Sequence, residues 1–281
     1  MWFSAKTLVA VDTRSAAVAV FKNSFAGPRL ERFGSEKFAS RARMESLFSD
    51  VLSDSRDAVS RLAKDLGAPM GEATLLLPVG AAFPAVLDLG PRSRPGRAEV
   101  EEADMARFRL APLLPFPVAL ADVQTERCDS AGGILAQAVL KSLVAEGRSV
   151  MGSLGYRRVR VASALSASLR GFRPSPNAVD LIFGDSACAI CVRGATGLIE
   201  SVHLRLLLEG DDREQRALDE SFRAASQVAQ IRVAGCAIDG LRRKSDGGAL
   251  QVTAAFGAEG LPRVADPQAF PFLAVFSMGL R

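Results

Sequence analysis

Near its amino terminus the chain carries the stretch Lys6-Thr-Leu-Val-Ala-Val-Asp-Thr-Arg-Ser-Ala-Ala-Val-Ala-Val-Phe21. Two runs of small and branched apolar residues flank the polar segment Asp12–Ser15, a pattern that predicts a β-hairpin with Asp12 at its turn. Side chains of a strand alternate between the two faces of a sheet, so each run can bury a face against a core. The stretch therefore predicts the first two strands of a sheet, with an acidic side chain where they turn.

The same pattern returns in the second half of the chain. Val179–Phe183 and Ala187–Val192 are two further apolar runs, and Gly184-Asp185-Ser186 between them predicts a second turn. Each hairpin is followed by a further predicted strand, near Leu30–Phe38 in the first half and at Leu198–Leu208 in the second. A helix and another strand follow in each half, without an obvious sequence repeat. We therefore expect an α/β protein of two duplicated lobes that face a cleft.

Apolar residues spaced by three or four predict the helices. We expect helices at residues 41–66, 99–109, 131–154, 164–169, 213–229 and 267–280, and further strands at 75–77, 119–127, 156–162, 231–235 and 250–254. The segment 171–177, with two prolines, is the best linker between the lobes.

The composition is that of an ordinary soluble globular protein, and no apolar run is long enough to span a membrane. We therefore expect a cytoplasmic protein that meets a membrane only through a partner. The net charge of +4 includes two basic clusters, Arg157-Arg158-Arg160 and Arg242-Arg243-Lys244. They are either solvated surface or contacts with nucleic acid or an anionic membrane face. One Trp and one Tyr do not supply the stacking aromatics of a nucleic-acid site, so no nucleic-acid partner is predicted.

Residue sets for common kinds of catalysis are missing from the sequence. Cys188 and Cys191 have the spacing of a metal or redox pair, but residues three apart in a strand point to opposite faces, so we expect two buried free thiols. A single histidine, His203, leaves no His-rich metal site and no Ser-His-Asp triad. No Gly-x-x-x-x-Gly-Lys phosphate loop and no paired-carboxylate site is recognisable. The sequence predicts no catalytic residue and no metal site.

Three predicted turns are candidates for phosphate binding. The first holds Asp12, Thr13 and Arg14, the second holds Gly184 and Asp185, and the third holds Gly235 at the end of a strand. Backbone N–H groups of tight turns can cradle phosphates, and a nearby acid can hold a hydrated Mg²⁺. The alternative is that all three are ordinary turns.

Taken in order, these segments resemble the PilM and GspL family, the actin-like assembly proteins of type IV pili and type II secretion. The stretch Lys6–Phe21 resembles the family's opening hairpin, Leu113-Leu-Pro-Phe-Pro117 its Leu-Pro-Phe segment, and Val139–Tyr156 the long helix that follows. Asn177–Leu204 is similar to the second hairpin and the next strand, and Met278-Gly-Leu-Arg281 resembles the closing motif. Each motif is short, and their order along the chain carries the resemblance.

The resemblance implies an actin-like (ribonuclease H-like) fold of duplicated α/β lobes with an inserted subdomain. The implied division is residues 1–81 for the first lobe, 82–155 for the inserted subdomain, 156–176 for the return to the first lobe and the linker, and 177–281 for the second lobe. Because the chain ends without a membrane helix, it is expected to be a free-standing PilM-like protein, or one from which a membrane segment has been removed.

The nucleotide turns depart from the family pattern. In the family, two Asp-x-Gly turns hold phosphates and a Gly-Gly turn meets the nucleoside; here Arg14 and Cys236 replace glycines, and Ile182 stands where the second aspartate is expected. The Arg14 side chain crowds the phosphate path, and the missing carboxylate removes a Mg²⁺-positioning group. We therefore expect no enzyme activity and no cofactor. The alternative is that Arg14 serves as a phosphate ligand and Mg·ATP binds.

The resemblance also implies a partner. In PilM-like proteins a groove on the first lobe and its inserted subdomain receives the N-terminal cytoplasmic peptide of a PilN-like, single-span membrane protein. We predict an apolar groove lined by Phe83, Val86 and Leu87, in a non-catalytic scaffold of a pilus or secretion platform at the inner membrane. The competing hypothesis is an actin-like ATP-binding protein or ATPase with Mg·ATP between the lobes. Self-association into a homo-oligomer is left open by the sequence.

Overall fold

A computed structural model describes residues 5–24, 27–48, 54–90, 98–127, 133–169, 172, 174–207, 212–224, 228–234 and 251–254. The strands are β1 (Ala5–Val11), β2 (Ser15–Ser24), β3 (Gly27–Lys37), β4 (Glu72–Leu77), β5 (Phe83–Asp88), β6 (Ala121–Arg127), β7 (Gly133–Leu140), β8 (Arg158–Ser163), β9 (Ala178–Phe183), β10 (Ala187–Arg193), β11 (Ile199–Leu206), β12 (Gln230–Ala234) and β13 (Gln251–Ala254). The helices are α1 (Asp54–Asp65), α2 (Ala98–Leu110), α3 (Lys141–Ser153), α4 (Ala164–Leu169) and α5 (Arg213–Ala224). Short 3-10 turns lie at Met44–Ser46, Val79–Ala81, Ala111–Leu113 and Val118–Leu120.

The first sheet has five strands in the order β3-β2-β1-β4-β8. β2 pairs antiparallel with β1 and β3, whereas β4 runs parallel to β1 and β8. On one face, Val9 and Leu75 pack with Leu143 of α3 in a core that also includes residues of α1. On the other face, Leu8 and Leu76 form a second cluster that reaches α4. The alternating apolar residues of the first hairpin are therefore buried on both faces of the sheet.

The second sheet repeats this arrangement, in the order β11-β10-β9-β12-β13. β10 pairs antiparallel with β9 and β11, and β12 runs parallel to β9 and β13. Ala217 and Leu218 of α5 pack on one face of this sheet against Val179 and Leu181. Strand order and direction match those of the first sheet, so the predicted duplication of an α/β lobe is confirmed.

A third sheet, of order β5-β7-β6, lies between β4 and β8 along the chain. On one face, Ala106 of α2 packs with Ile134 of β7. On the other face, Val86 and Leu135 pack with Ile182 of the second sheet. The inserted sheet is therefore covered by its own helix on one side and by the second lobe on the other. The exact residues that bound the lobes and the insertion stay predictions.

The helix predicted at residues 41–66 is wrong over its first part. Residues 41–43 are not helical and a 3-10 turn follows at Met44–Ser46, whereas Asp54–Asp65 form α1. The backbone N–H of Ala42 donates to Thr13 O at 2.7 Å. This bond holds the segment after β3 against the first hairpin turn. The spacing of apolar residues alone does not indicate such a long-range contact.

The helix predicted at residues 131–154 is wrong over its first half. Gly133–Leu140 form β7, and only Lys141–Ser153 form a helix. β7 is the central strand of its sheet, pairs with both β5 and β6, and is buried on both faces. Such a strand lacks polar-apolar alternation, and a short apolar run does not by itself distinguish strand from helix.

The two cysteines of β10 lie as predicted. Cys188 and Cys191 are both buried free thiols. Cys188 belongs to the buried cluster on the α5 side of the sheet, whereas Cys191 belongs to the cluster on the opposite side. The prediction that they face opposite sides of a strand is confirmed, and their sulfur atoms cannot meet.

Some predictions lie outside the described residues: the turn at Gly235 and Cys236, the helix at 267–280 and the closing segment Met278–Arg281. Within the described ranges, no helix has both the length and the apolar character that crossing a membrane requires.

Candidate functional site

Asp12 directly follows β1, where the first hairpin turns. The backbone N–H of Asp12 donates to Ser15 O at 2.8 Å and closes the turn. The Asp12 side chain is only 7% exposed, and its Oδ1 accepts the N–H of Thr13 at 2.7 Å. The polar turn of the sequence therefore holds a buried carboxyl group in a defined orientation.

The second hairpin turn contacts the first directly. The N–H of Asp185 donates to Asp12 Oδ2 at 3.0 Å. In the other direction, Asp185 Oδ2 accepts the N–H of Arg14 and the hydroxyl of Ser15, both at 3.0 Å. We term this reciprocal set of contacts, made by Asp12, Arg14, Ser15 and Asp185, the hairpin clasp. Each turn thus supplies a carboxyl group to backbone N–H of the other.

Gly184 permits the close approach of the two turns. A Cβ atom at this position would lie 2.8 Å from Asp12 Oδ2 and 3.3 Å from the Cβ of Val79. The N–H of Gly184 donates to Ala187 O at 2.8 Å, and its carbonyl oxygen accepts a guanidinium N–H of Arg213 from α5. The close contact between Gly184 and Asp12 therefore depends on the absence of a side chain at position 184.

The electrostatics of the clasp centre on Asp12. Burial and the neighbouring Asp185 carboxylate raise the pKa of Asp12 from its ordinary value of 3.8 to about 7. The N–H donors of Asp185 and Thr13 and the charge of Arg213 act in the opposite direction. Because the raising influences dominate, Asp12 changes its charge near neutral pH while in contact with the second lobe.

Mg·ATP, the alternative ligand implied by the resemblance, would meet a first turn whose donors are already occupied by a carboxylate. The Arg14 N–H that could donate to a phosphate already donates to the Asp185 carboxylate. A phosphate placed there would have to displace that carboxylate and would lie close to Asp12. Among the residues that the structure describes, no group of three or more His, Cys, Asp and Glu side chains could hold a metal ion.

Gly184→Ala is expected to destabilise the protein by about 1–3 kcal/mol, because the added Cβ forces the turns of the clasp apart. Urea denaturation of the purified variant measures this change. Gly71→Ala is the matched control, since a Cβ at Gly71 would meet no atom within 4 Å, and it should change stability by less than about 0.5 kcal/mol. Equal effects of the two substitutions would contradict the tight contact at Gly184.

The structure brings together the predicted site residues of the first two turns. Asp12, Arg14 and Asp185 are members of the clasp, and Gly184 lies against Asp12. Arg14 joins through its backbone N–H, and its side chain is exposed. The Thr13 hydroxyl is buried and finds no hydrogen-bond partner in the described part of the chain. The position of Gly235 relative to them is outside the described residues.

The predicted groove residues do not share one surface. Phe83 and Leu87 pack beneath α2, where the Phe83 ring lies edge-to-face with Phe116 at a centroid distance of 5.2 Å. Val86 lies on the other face of β5 and packs with Leu165. Successive residues of a strand face opposite sides, so these three side chains do not line one groove. Their contact with a partner stays a prediction.

Sequence reasoning missed a charged cluster beneath the second turn. Asp180 of β9 is fully buried and lies between Arg193 of β10 and Arg232 of β12. The Nε atoms of both arginines donate to its carboxylate at 2.7 Å. The signal was an aspartate inside the otherwise apolar run Val179–Phe183. The cluster joins three strands, two of which flank the second hairpin turn.

The strand orders and the facing hairpins define the class of protein. Two lobes with equivalent five-stranded sheets, a hairpin turn of each in contact with that of the other, and a sheet inserted in the first lobe form the actin-like fold. The predicted fold class is therefore confirmed. A solved protein from Bacteroides thetaiotaomicron, with an actin-like ATPase fold and unknown function, is similar over 89% of this chain and 90% of its own, with a TM-score of 0.56 at 11% identity.

Within this class, the chain is similar in structure to the proteins that the sequence resembles. It matches a chain of the PilM–PilN type IV pilus biogenesis complex over 96% of both chains, with a TM-score of 0.69 at 13% identity. It also matches the cytoplasmic domain of EpsL, an inner-membrane component of the type II secretion system of Vibrio cholerae. That match covers 98% of this chain and 94% of the other, with a TM-score of 0.57 at 8% identity. No protein-family model and no curated protein matches the sequence.

Proposed function

We propose that this chain is a non-catalytic scaffold of a type IV pilus or type II secretion platform at the inner membrane. In that role it binds the N-terminal cytoplasmic segment of a PilN-like, single-span membrane protein, through which it reaches the membrane from the cytoplasm. The observation that carries the proposal is the hairpin clasp, in which Asp185 takes the N–H of Arg14. The kind of assembly is supported by the similarity of fold to the PilM–PilN complex and to EpsL.

The clasp argues against phosphate chemistry in two ways. A phosphate at the first turn competes with the Asp185 carboxylate, which belongs to the same chain and is therefore present at a high effective concentration. Asp12 already accepts two backbone N–H groups, from Thr13 and Asp185, so both of its oxygens are engaged. A scaffold needs neither group free, because peptides are captured by apolar grooves and sheet edges.

The inserted unit offers apolar surface for a partner. Phe108 of α2 is 79% exposed, and Met105, one helical turn earlier, is also exposed. Leu113 and Leu120, in the 3-10 turns after α2, are exposed as well. Apolar side chains that cluster on one unit are typical of interaction surfaces. We propose that Phe108 and Met105 contact the partner segment.

Calorimetric titration tests this proposal, with a synthetic peptide of the N-terminal cytoplasmic segment of the single-span membrane protein encoded beside this chain. We expect binding to the wild type and a weakening of about tenfold or more in Phe108→Ser, because burial of a phenylalanine contributes about 1.5–3 kcal/mol. Phe222→Ser, which removes another exposed phenylalanine from α5 of the second lobe, is the matched control and should bind normally. No binding to the wild type at high micromolar peptide, or equal loss in both variants, would contradict the proposal.

A second candidate function, Mg·ATP binding between the lobes, is favoured by one observation. The first turn already presents the Arg14 N–H and the Ser15 hydroxyl to an anionic group, the Asp185 carboxylate. On this hypothesis ATP displaces that carboxylate, so Asp185→Ala should bind Mg·ATP more tightly than the wild type does. The scaffold proposal instead expects no heat and no thermal shift from millimolar Mg·ATP with the wild-type chain.

A further inference from the structure

A cavity of about 390 Å³ lies over the first sheet at the end remote from the clasp. It is lined by the first residues of three parallel strands: Lys6 and Thr7 of β1, Glu72, Ala73 and Thr74 of β4, and Arg158, Val159 and Arg160 of β8. β1 leads from this cavity to Asp12, so the two sites are separated by roughly 20 Å. We term this cavity the basic groove. It is independent of the proposed scaffold surface on α2.

Strand register places the charges of the groove on one face. Glu72 is opposite Arg158 and Thr74 is opposite Arg160 in the pairing of β4 with β8. Lys6 precedes the paired residues Thr7 and Ala73 and therefore lies beside Glu72 on the same face. Three cations thus share the groove with a single carboxylate.

The cations are only partly neutralised. Glu72 Oε1 lies 3.0 Å from Arg158 Nη1, and the Arg158 side chain is 81% exposed. Lys6 and Arg160 are exposed and have no carboxylate partner in the described part of the chain. An occupant of the groove is therefore expected to bring negative charge.

The free edge of β8, beside the groove, indicates an extended occupant. β8 is the last strand of its sheet, and no described strand pairs with its far side. Arg158 and Arg160 are two residues apart and lie on the same face of β8. A strand added beside β8 would form backbone hydrogen bonds and place alternate side chains next to the arginines.

We propose that the basic groove binds an extended acidic segment of a partner protein, with carboxylates at alternate positions paired to Arg158 and Arg160. A flat membrane face does not enter a concave groove as a strand does. A single-stranded nucleic acid relies on stacking aromatics, and no aromatic side chain is among the described residues that line the groove. The groove thereby gives a role to two arginines of the cluster at residues 157–160, Arg158 and Arg160.

Fluorescence anisotropy tests the groove with a labelled peptide, Gly-Asp-Thr-Asp-Thr-Asp-Thr-Gly, and with the same peptide carrying Asn for every Asp. We expect the wild-type chain to bind the acidic peptide, more weakly at high salt, and to leave the Asn peptide unbound. The variant Lys6→Gln with Arg158→Gln and Arg160→Gln should lose affinity by about tenfold or more. Arg157→Gln is the matched control, since this cation lies next in sequence but is not among the lining residues, and it should change affinity by less than about twofold.

Two further probes separate the other classes of partner: vesicles containing phosphatidylserine, and oligo(dT). Binding of either probe through the same three cations, without binding of the acidic peptide, would overturn the proposal. So would the absence of peptide binding at millimolar concentration, or equal losses in the triple variant and in Arg157→Gln. Circular dichroism and urea denaturation confirm that the triple variant is folded, which is expected because all three side chains are exposed. Phe108→Ser should leave binding of the acidic peptide unchanged, so failure here is distinguishable from failure of the scaffold proposal.

Discussion

Asp180→Ala is expected to destabilise the protein by roughly 3–5 kcal/mol, a large fraction of the stability of a typical domain. The Asp180 carboxylate is fully buried and accepts hydrogen bonds from Arg193 and Arg232, whose side chains are themselves buried. Without Asp180, two guanidinium groups in a site of low dielectric constant lose the carboxylate that both of them contact. The cost is that of uncompensated buried charge, and it exceeds the value of the hydrogen bonds themselves.

Burial and the opposite charge of the partner residues also shift the pKa values of this cluster. Burial raises the pKa of Asp180, while the charges of Arg193 and Arg232 act to lower it. Burial lowers the pKa of Arg232, and the charge of Asp180 opposes that change. Arg232 also lies over the ring of Phe172, 5.2 Å from its centroid, which gives its guanidinium a second favourable contact.

Urea denaturation measures the effect of Asp180→Ala, with Asp219→Ala as a matched control. Asp219 is an exposed carboxylate of α5 bonded to Gln215, and its loss should cost less than about 0.5 kcal/mol. A second variant separates charge from packing: Asp180→Leu combined with Arg193→Met and Arg232→Met should regain most of the lost stability. A cost below about 1 kcal/mol for Asp180→Ala would show that the arginines find other partners or water, against the arrangement described.

The second large effect is a loss of stability as the pH rises from about 4 to about 7. The pKa of Asp12 is 3.8 in its ordinary state and about 7 in the fold. Below pH 3.8 the group is protonated in both the folded and the unfolded chain and contributes no penalty. Between these values the unfolded chain releases the proton that the folded chain keeps, so stability falls with rising pH, and above pH 7 the loss is complete. At about 1.36 kcal/mol per pH unit, the loss amounts to roughly 4 kcal/mol.

Carbon-13 NMR of the Asp12 carboxyl group, together with urea denaturation across this pH range, measures the effect. Asp185→Asn removes the second-largest cause of the raised pKa, so the Asp12 titration should move to lower pH and the loss of stability should shrink. Asp219→Asn leaves the clasp intact and should reproduce the wild-type titration. An Asp12 titration near pH 4 in the wild type would contradict the buried, doubly acidic clasp.

Local patterns predicted the elements that carry the fold, and longer-range contacts account for the errors. The hairpins at Asp12 and Gly184 were found because alternation and turn composition are properties of a few neighbouring residues. β7 was assigned as helix because a strand buried on both faces shows no alternation. The segment before α1 was assigned as helix because its backbone bond to Thr13 has no signature in the local sequence.

The candidate site was predicted in part. Asp12, Gly184 and Asp185 were selected as turn residues, and the structure brings them into contact. The contact between the two turns was not predicted. The sequence shows two separate turns, and it does not indicate that the carboxyl group of each accepts a backbone N–H of the other. Asp180 was not predicted as a site residue, because a single aspartate in an apolar strand does not indicate which arginines neutralise it.

By itself, the sequence determined the duplicated α/β lobes, the opposite orientation of Cys188 and Cys191, and the presence of an acidic residue at each facing turn. These features follow from side-chain alternation and turn chemistry, which act over a few residues. Only the tertiary structure decided that the turns bind each other, since Asp12 and Asp185 are separated by 173 positions. The tertiary structure also determined the basic groove. The groove arises from the register of three parallel strands, whose pairing depends on the packing of the whole first lobe.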